Sequence, residues 1–138
     1  MLTSRQVEDL LKASRQATKS AYAPYSGFRV GAAVLTEDGK IFSGCNVENA
    51  SYSLTICAER AAVFKAVSEG TERIIAAAVT VDPETSRSPF PPCGACRQVL
   101  AEFMEPEGVI IVDRMGQYKL SELLPISFES KLARGTKQ

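Results

Sequence analysis

Apolar residues along the chain recur with a helical period in three segments. From Thr3 to about Ala21 they fall on one helical face, with Thr3 and Gln6 spaced as a capping box. The second predicted helix runs from Cys57 to about Glu69 and is closed by Gly70, and the third runs from Cys93 to about Phe103. Ser121 is expected to cap a brief fourth helix, Glu122-Leu123-Leu124, which Pro125 ends.

Shorter apolar runs predict strands. The Asp38-Gly39 dipeptide indicates a hairpin between the first two strands. The third run is apolar almost throughout and the fourth is apolar, which is typical of strands covered on both faces. The predicted strands are Phe28–Leu35, Ile41 to about Cys45, Ile74–Val81, Val109–Val112 and a short fifth one at Tyr118–Leu120. This order of elements predicts an α/β fold in which a mixed sheet lies between helices.

Length and composition limit the range of functions. A chain of 138 residues with 45% hydrophobic and 23% charged residues predicts a single domain, 1–138, with a flexible tail from about 129. The formal net charge is zero and no run of like charges occurs, so no nucleic-acid partner and no membrane partner are expected. The apolar runs are too short to span a bilayer, and no export signal is recognisable, so we expect a cytoplasmic location.

Three thiols and one carboxylate dominate the candidate chemistry. The chain has no His, which excludes imidazole catalysis and imidazole metal ligands. Cys57-Ala58-Glu59-Arg60 and Pro92-Cys93-Gly94-Ala95-Cys96-Arg97 each open a predicted helix. A catalytic zinc site has three protein ligands and one open position, and a nearby carboxylate can move protons. This spacing matches the ligand-x-Glu and Pro-Cys-x-x-Cys pattern of zinc nucleobase deaminases.

Two other interpretations of the cysteines remain open. Cys45 would complete a closed, structural four-thiolate site, and Cys93 with Cys96 alone would form a thioredoxin-like redox pair. The catalytic interpretation is favoured because it also uses Glu59. Three thiolates around a zinc ion leave a net negative charge, so we expect Arg60 and Arg97 to donate to sulfurs as second-shell groups.

Three further positions could contact a ligand. Asn46 and Glu48 lie two residues apart after a strand, so both side chains could reach vicinal hydroxyls, although the spacing also fits a solvated loop. Phe28 stands at the start of its strand and by itself also fits a core residue.

Taken together, four motifs resemble the small cytidine deaminases, and specifically the short, homotetrameric branch with three Cys ligands. The motifs are Phe28-Arg29-Val30-Gly31-Ala32-Ala33, Gly44-Cys45-Asn46-Val47-Glu48-Asn49-Ala50, Cys57-Ala58-Glu59-Arg60 and Pro92-Cys93-Gly94-Ala95-Cys96-Arg97-Gln98. The resemblance implies a three-layer α/β/α sandwich with a five-stranded mixed sheet. It also implies one Zn²⁺ per chain and hydrolytic deamination of free cytidine and 2′-deoxycytidine in pyrimidine salvage.

The same resemblance implies residue roles. Cys57, Cys93 and Cys96 match the zinc ligands, and Glu59 matches the catalytic acid and base. The positions that match substrate contacts are Phe28 against the pyrimidine, Asn46 and Glu48 on the ribose, Ala58 with Glu59 on the base edge, and Tyr52 and Phe128 contributed to a neighbouring subunit's site. The tail after Pro125 departs from the family pattern.

Three rival functions share parts of this pattern. A blasticidin-type antibiotic deaminase has a similar frame, but Asn46-Val47-Glu48-Asn49 fits ribose binding better. A polynucleotide deaminase would need a basic groove with exposed aromatic residues, and the neutral chain has no such run. A zinc-stabilised binding domain without catalysis is the rival of another class.

Overall fold

The computed structural model describes residues 1–129, so nearly all of the tail predicted to be flexible lies outside the described residues. In chain order the elements are α1 (Ser4–Ala17), β1 (Val30–Thr36), β2 (Ile41–Cys45), α2 (Ala58–Ser68), β3 (Ile74–Val81), α3 (Gly94–Phe103), β4 (Val109–Val112), β5 (Gly116–Lys119) and α4 (Leu120–Leu123). Within this part of the chain, no helix is long and apolar enough to cross a membrane.

The five strands form one mixed sheet in the order β2-β1-β3-β4-β5. β1 pairs antiparallel with β2 across the predicted hairpin and antiparallel with β3 on its other side. β3 and β4 are parallel, and β5 returns antiparallel to β4. The predicted five-stranded mixed sheet is therefore confirmed.

The helices cover both faces of the sheet, which makes the three layers. Successive side chains of a strand point to opposite faces. Accordingly, Ala33 and Leu35 of β1 pack with Leu10 of α1, whereas Ala32 and Val34 belong to the cluster that includes α2 and α3. The two apolar clusters keep helices and sheet together because each buries area that would otherwise face water.

Close backbone contact places α1 and α2 on the sheet. A methyl group at Gly31 would lie 2.1 Å from the carbonyl oxygen of Ser14, and one at Gly44 would lie 2.5 Å from the backbone nitrogen of Ala62. Real Cβ atoms do not approach backbone this closely, so glycine is needed at both positions. Gly44 matters most for the candidate site because α2 carries Glu59.

The helix starts agree with the sequence except at the C-terminal end. Thr3 and Gln6 form both hydrogen bonds of the predicted capping box. β5 begins at Gly116 rather than Tyr118, and the prediction that Ser121 caps the last helix is wrong. α4 begins at Leu120 because the Glu122 side chain accepts a hydrogen bond from the Lys119 backbone N–H, 2.8 Å away.

Candidate active site

The N-termini of two helices bring the three predicted thiols together. Cys57 is the residue immediately before α2, Cys93 is the residue before α3, and Cys96 lies in the first turn of α3. Their sulfur atoms all lie within 4.8 Å of one another, with Cys57 Sγ 3.8 Å from Cys93 Sγ. Negative charge is stabilised at a helix N-terminus, so the two helices favour thiolates at this point.

This donor set fits a zinc ion. Zinc binds thiolates at about 2.3 Å, and two ligands of a tetrahedral ion at that distance are roughly 3.8 Å apart. The observed separation of Cys57 Sγ and Cys93 Sγ, 3.8 Å, agrees with this geometry. Cys57, Cys93 and Cys96 are therefore the residues that could hold one zinc ion.

Cys45 does not belong to the cluster. It is the last residue of β2, opposite Gly31, and the group of potential ligands in residues 1–129 contains Cys57, Cys93 and Cys96 only. A four-thiolate site would need Cys45 beside the other three sulfurs. The redox interpretation also loses support, since a third sulfur, that of Cys57, shares the cluster with Cys93 and Cys96.

Arg60 supports the thiol cluster as expected. Its Nη2 donates a hydrogen bond to Cys57 Sγ at 3.3 Å. A hydrogen bond with Cys96, assisted by Arg60 and Cys93, lowers the pKa of the Cys57 thiol to about 5. The shared bond with Cys57 and burial raise the pKa of Cys96. A metal requires its thiol ligands to be deprotonated, and Cys57 is already poised for this at neutral pH.

Arg97 has a different role from the one expected. Its Nε donates to the carbonyl oxygen of Pro92 at 2.7 Å, and its Nη1 donates to the carbonyl oxygen of Leu123 at 2.7 Å. Its guanidinium therefore bonds to two carbonyl oxygens rather than to a sulfur. Arg97 fixes the backbone next to Cys93 and ties it to α4, so it acts on the cluster through the loop.

Glu59 is a buried carboxyl group beside the cluster. Its residue is 5% exposed, in the first turn of α2. Burial raises the pKa of Glu59 to about 7, and the negative charge of Cys57 adds to the rise, while a bond from its own backbone N–H and the charge of Arg60 oppose it. A carboxyl group with a pKa near neutrality can both accept and donate protons, which suits general acid–base catalysis.

A cavity of about 340 Å³ opens onto Glu59, Cys57 and Cys93. Its wall includes seven of the predicted site residues, and it joins them to residues from the loops before α2 and α3. The lining residues are Phe28, Val30, Asn46, Glu48, Thr55, Ile56, Cys57, Ala58, Glu59, Val79, Phe90, Pro91 and Cys93. This volume is within the range of small-molecule sites.

Backbone pairing carries Asn46 and Glu48 to this cavity. Val47, between them, exchanges two backbone hydrogen bonds of 3.0 Å with Ile56, which directly precedes Cys57. The Asn46 side chain donates to the carbonyl oxygen of Phe28 at 2.7 Å and accepts from the Val30 N–H at 2.9 Å. Asn46 thus holds the backbone on both sides of Arg29 in addition to lining the cavity, a role that the sequence alone did not indicate.

Phe90 is a cavity residue that sequence reasoning missed. Its ring lies 5.5 Å from that of Phe28 between centroids, at an interplanar angle of 82°, which is an edge-to-face pair. Pro91 and Thr55 also line the cavity without having been predicted. The available signal was the position of Phe90 and Pro91 directly before Pro92-Cys93. A residue so close in sequence to the predicted zinc ligand Cys93 must also lie near the site.

Tyr52 and Phe128 lie outside this cavity. Their residues are 79% and 77% exposed. Tyr52 lines an adjoining surface cavity with Tyr25, Ser26 and Glu48. The Gln98 side-chain amide donates to the Phe128 carbonyl oxygen and accepts from the Phe128 N–H, which holds the Phe128 backbone. Within one chain, neither aromatic ring contributes to the wall around Glu59.

Known proteins match both the sequence and the fold. Residues 4–112 match the family model described as cytidine and deoxycytidylate deaminase zinc-binding region. A cytidine deaminase of Halalkalibacterium halodurans is 47% identical over 126 residues, covering 88% of this chain and 93% of the relative. A blasticidin-S deaminase of Bacillus cereus is more distant, 31% identical over 107 residues, covering 72% of this chain and 76% of the relative.

The fold comparison agrees. The crystal structure of cytidine deaminase from Burkholderia pseudomallei superposes with a TM-score of 0.80 at 42% identity, covering 92% of this chain and 100% of that one. The region matched by the family model contains the three thiols, Glu59 and the first four strands of the sheet. The chain therefore belongs to the zinc-binding cytidine and deoxycytidylate deaminase family.

Proposed function

We propose that this chain is a zinc-dependent enzyme that hydrolyses cytidine and 2′-deoxycytidine to uridine and 2′-deoxyuridine with release of ammonia, a reaction of pyrimidine salvage. One observation carries the proposal. The buried carboxyl group of Glu59 shares a cavity of about 340 Å³ with Cys57 and Cys93 of the thiol cluster. Family membership and the identity to curated cytidine deaminases support the same reaction.

Glu59 is proposed to carry the proton transfers. When bound by Cys57, Cys93 and Cys96, zinc supplies a water acidic enough to act as a nucleophile near neutral pH. Glu59 accepts one proton from the attacking water and delivers it to ring nitrogen N3, and it then takes the proton of the new hydroxyl group on C4 and delivers it to the departing amino group. Carbon C4 thereby exchanges its C–N bond for a C–O bond, and ammonia leaves. The chain has no His, so a carboxyl group must carry these steps.

The remaining cavity residues are proposed to hold the nucleoside. Phe28 packs against the pyrimidine, and the Ala58 backbone with Glu59 reads the base edge, because the first N–H groups of a helix have no partner within it. Asn46 and Glu48 bind the ribose hydroxyls at the other side of the cavity. Holding the sugar at a distance from C4 orients the ring for reaction.

A direct assay tests the reaction. Zinc-loaded protein is mixed with cytidine, and the loss of cytidine absorbance and the release of ammonia are followed. We expect turnover by the wild-type chain, and a loss of turnover by at least about a hundredfold in Glu59→Gln with zinc content unchanged. Glu69→Gln, an exposed position at the end of the same helix, is the matched control and should keep full activity. Turnover retained by Glu59→Gln would remove Glu59 as the acid–base group.

The same assay separates the rival functions. Blasticidin S replaces cytidine in one arm and a single-stranded polynucleotide in another. Preference for blasticidin S would favour the antibiotic deaminase. This substrate is included because the chain is 31% identical to a blasticidin-S deaminase. Zinc binding without turnover of any substrate would favour a binding domain.

We also propose that the chain assembles as a homotetramer whose sites are shared between subunits, with Tyr52 and Phe128 entering a neighbour's site. Their exposed rings, together with exposed Leu54 and Ile126, give apolar surface that an interface would cover. Mass measurement in solution tests the assembly. Mixed oligomers of Glu59→Gln and Phe128→Ala chains should regain activity if sites are shared, whereas independent sites would not be rescued.

The remaining expectations concern location and extent. We propose a cytoplasmic location, because the thiol cluster must stay reduced to bind zinc and a reducing compartment favours free thiols. The single domain over 1–138 also stays a prediction. Fractionation of cells that express the chain tests the location.

A further inference from the structure

The Glu48 carboxylate is fixed by the loop before β1. Its Oε1 accepts hydrogen bonds from the backbone N–H groups of Tyr25 and Ser26, at 2.9 Å and 3.0 Å. Its Oε2 accepts a hydrogen bond from the Ser26 hydroxyl. Two consecutive N–H groups and one hydroxyl therefore hold both carboxylate oxygens in one orientation, although the side chain lies near the surface.

The Ser26 hydroxyl also reaches the other side of the substrate cavity. Its Oγ accepts a hydrogen bond from the Phe28 backbone N–H at 3.0 Å while donating to Glu48. One hydroxyl thus connects the carboxylate proposed for the sugar with the backbone of the aromatic residue proposed for the base. The Asn46 side chain donates to the carbonyl oxygen of Phe28, so both the N–H and the carbonyl group of Phe28 are held by side chains.

The distribution of these bonds leaves one carboxylate oxygen with spare capacity. An ionised carboxylate oxygen has about two acceptor positions. Oε1 uses both for backbone N–H groups, whereas Oε2 uses one for Ser26 and keeps one. The oxygen that Ser26 holds is therefore the one best able to accept a bond from a sugar hydroxyl. The hydrogen bond from Ser26 also lowers the pKa of Glu48, which keeps it in the acceptor form.

We propose that Ser26 is a positioning residue for sugar recognition: its hydroxyl, bonded to the Phe28 backbone, fixes Glu48 Oε2 where a ribose hydroxyl donates to it. The proposal rests on the proposed function. It assigns to Ser26 an effect on nucleoside binding that passes through Glu48 and leaves the proton transfers of Glu59 unchanged. Losing such a contact weakens the ground state and the transition state alike, so it raises KM rather than lowering kcat.

The test is steady-state kinetics of Ser26→Ala on cytidine with zinc-loaded protein. Hydrogen bonds to charged groups are among the strong ones, and we expect KM to rise about tenfold while kcat stays within about twofold. Ser26→Thr retains the hydroxyl and should restore KM to within about threefold of wild type. Ser53→Ala, an exposed serine in the segment before α2, is the matched control and should leave both constants unchanged.

A second substrate shows whether the effect passes through Glu48. 2′,3′-Dideoxycytidine lacks the vicinal 2′- and 3′-hydroxyls, so neither can donate to Oε2, and Ser26→Ala should match wild type in kcat/KM within about twofold. A tenfold loss that persists on this substrate would show that Ser26 acts by shaping the loop, and it would overturn the inference. If the wild-type chain is active and Ser26→Ala has unchanged kinetics on cytidine, the inference about Ser26 is overturned while the proposed function stands. An inactive zinc-loaded wild type would instead overturn the proposed function.

Discussion

Arg60 lies three residues after Cys57 in the chain, and its Nη2 donates a hydrogen bond to the Cys57 sulfur at 3.3 Å. Cys57 is the residue before α2 and Arg60 lies in its first turn, so the geometry of the helix brings guanidinium and thiol together. Arg60 Nε is buried and has no hydrogen-bond partner among residues 1–129. A positive group confined this closely stabilises the negative charge that three thiolates would concentrate around a metal.

We predict that Arg60→Gln weakens zinc binding by about 10- to 100-fold, because groups that hold a metal ligand in place usually contribute that much to affinity. Competition with a chromogenic chelator measures the dissociation constant. Lys65→Gln, an exposed cation further along α2, is the control and should bind zinc as the wild type does. Equal affinity in Arg60→Gln and wild type would show that the bond to Cys57 is incidental.

We predict that the burial of Glu59 makes the folding stability of the metal-free chain depend on pH. The ordinary pKa of 4.5 is raised to about 7 in the folded state, so between these pH values the folded chain keeps a proton that the unfolded chain releases. Stability therefore falls as pH rises through this window, and the full penalty is present above about pH 7. Glu59→Gln cannot ionise and should be more stable than wild type at pH 8, by on the order of 3 kcal/mol.

Denaturant unfolding of the metal-free proteins at several pH values checks this prediction. The stability difference between Glu59→Gln and wild type should shrink toward zero below about pH 4.5. Glu69→Gln should show no such dependence, since its side chain is exposed. A constant difference across the pH range would mean that Glu59 is not protonated in the fold.

Gly44 is predicted to control the position of the helix that carries Glu59. A methyl group at this position would meet the Ala62 backbone nitrogen at 2.5 Å, so Gly44→Ala must push α2 away from the sheet. We expect a loss of about 1–3 kcal/mol in unfolding free energy, as is typical of overpacking, together with reduced zinc affinity. Gly94→Ala is the comparison, because open space surrounds that position. Equal stability in both variants would contradict the close packing.

Phe90 is predicted to contribute to nucleoside binding through its edge-to-face contact with Phe28. Aromatic pairs of this kind contribute about 0.5–1.5 kcal/mol, so Phe90→Ala should raise KM for cytidine by roughly 2- to 12-fold. Phe64→Ala, an exposed aromatic residue on α2, serves as the control. A KM that stays at the wild-type value in Phe90→Ala would place this ring outside the binding site.

Much of the frame follows from local patterns. The continuous apolar runs predicted Ile74–Val81 and Val109–Val112 with their observed bounds, because strands buried on both faces admit few polar residues. The Asp38-Gly39 signal placed the hairpin, and Gly39 indeed has a positive φ of 91°. The three thiols and Glu59 were predicted because their spacing matches the ligand-x-Glu and Pro-Cys-x-x-Cys pattern of zinc nucleobase deaminases, and the structure brings the three sulfurs together.

The remaining features depend on contacts between distant segments. Phe90 reaches Phe28 because the loop that carries it leads directly into Cys93, and its position beside Pro92-Cys93 indicates closeness to the site but not which ring it contacts. The role of Arg97 was mistaken because its partners, Pro92 and Leu123, are set by the docking of α4. The start of β5 was missed because the preceding turn has positive φ angles at Arg114 and Gly116. An arginine in the sequence does not indicate such a backbone conformation.

We predict that Cys57, Cys93 and Cys96 hold one zinc ion as thiolates and leave one coordination position for water. X-ray absorption at the zinc edge of the loaded protein measures this directly. We expect three sulfur neighbours at about 2.3 Å and one oxygen neighbour at about 2.0 Å, with the same spectrum in Cys45→Ser. Four sulfur neighbours, or loss of the metal in Cys45→Ser, would contradict the account.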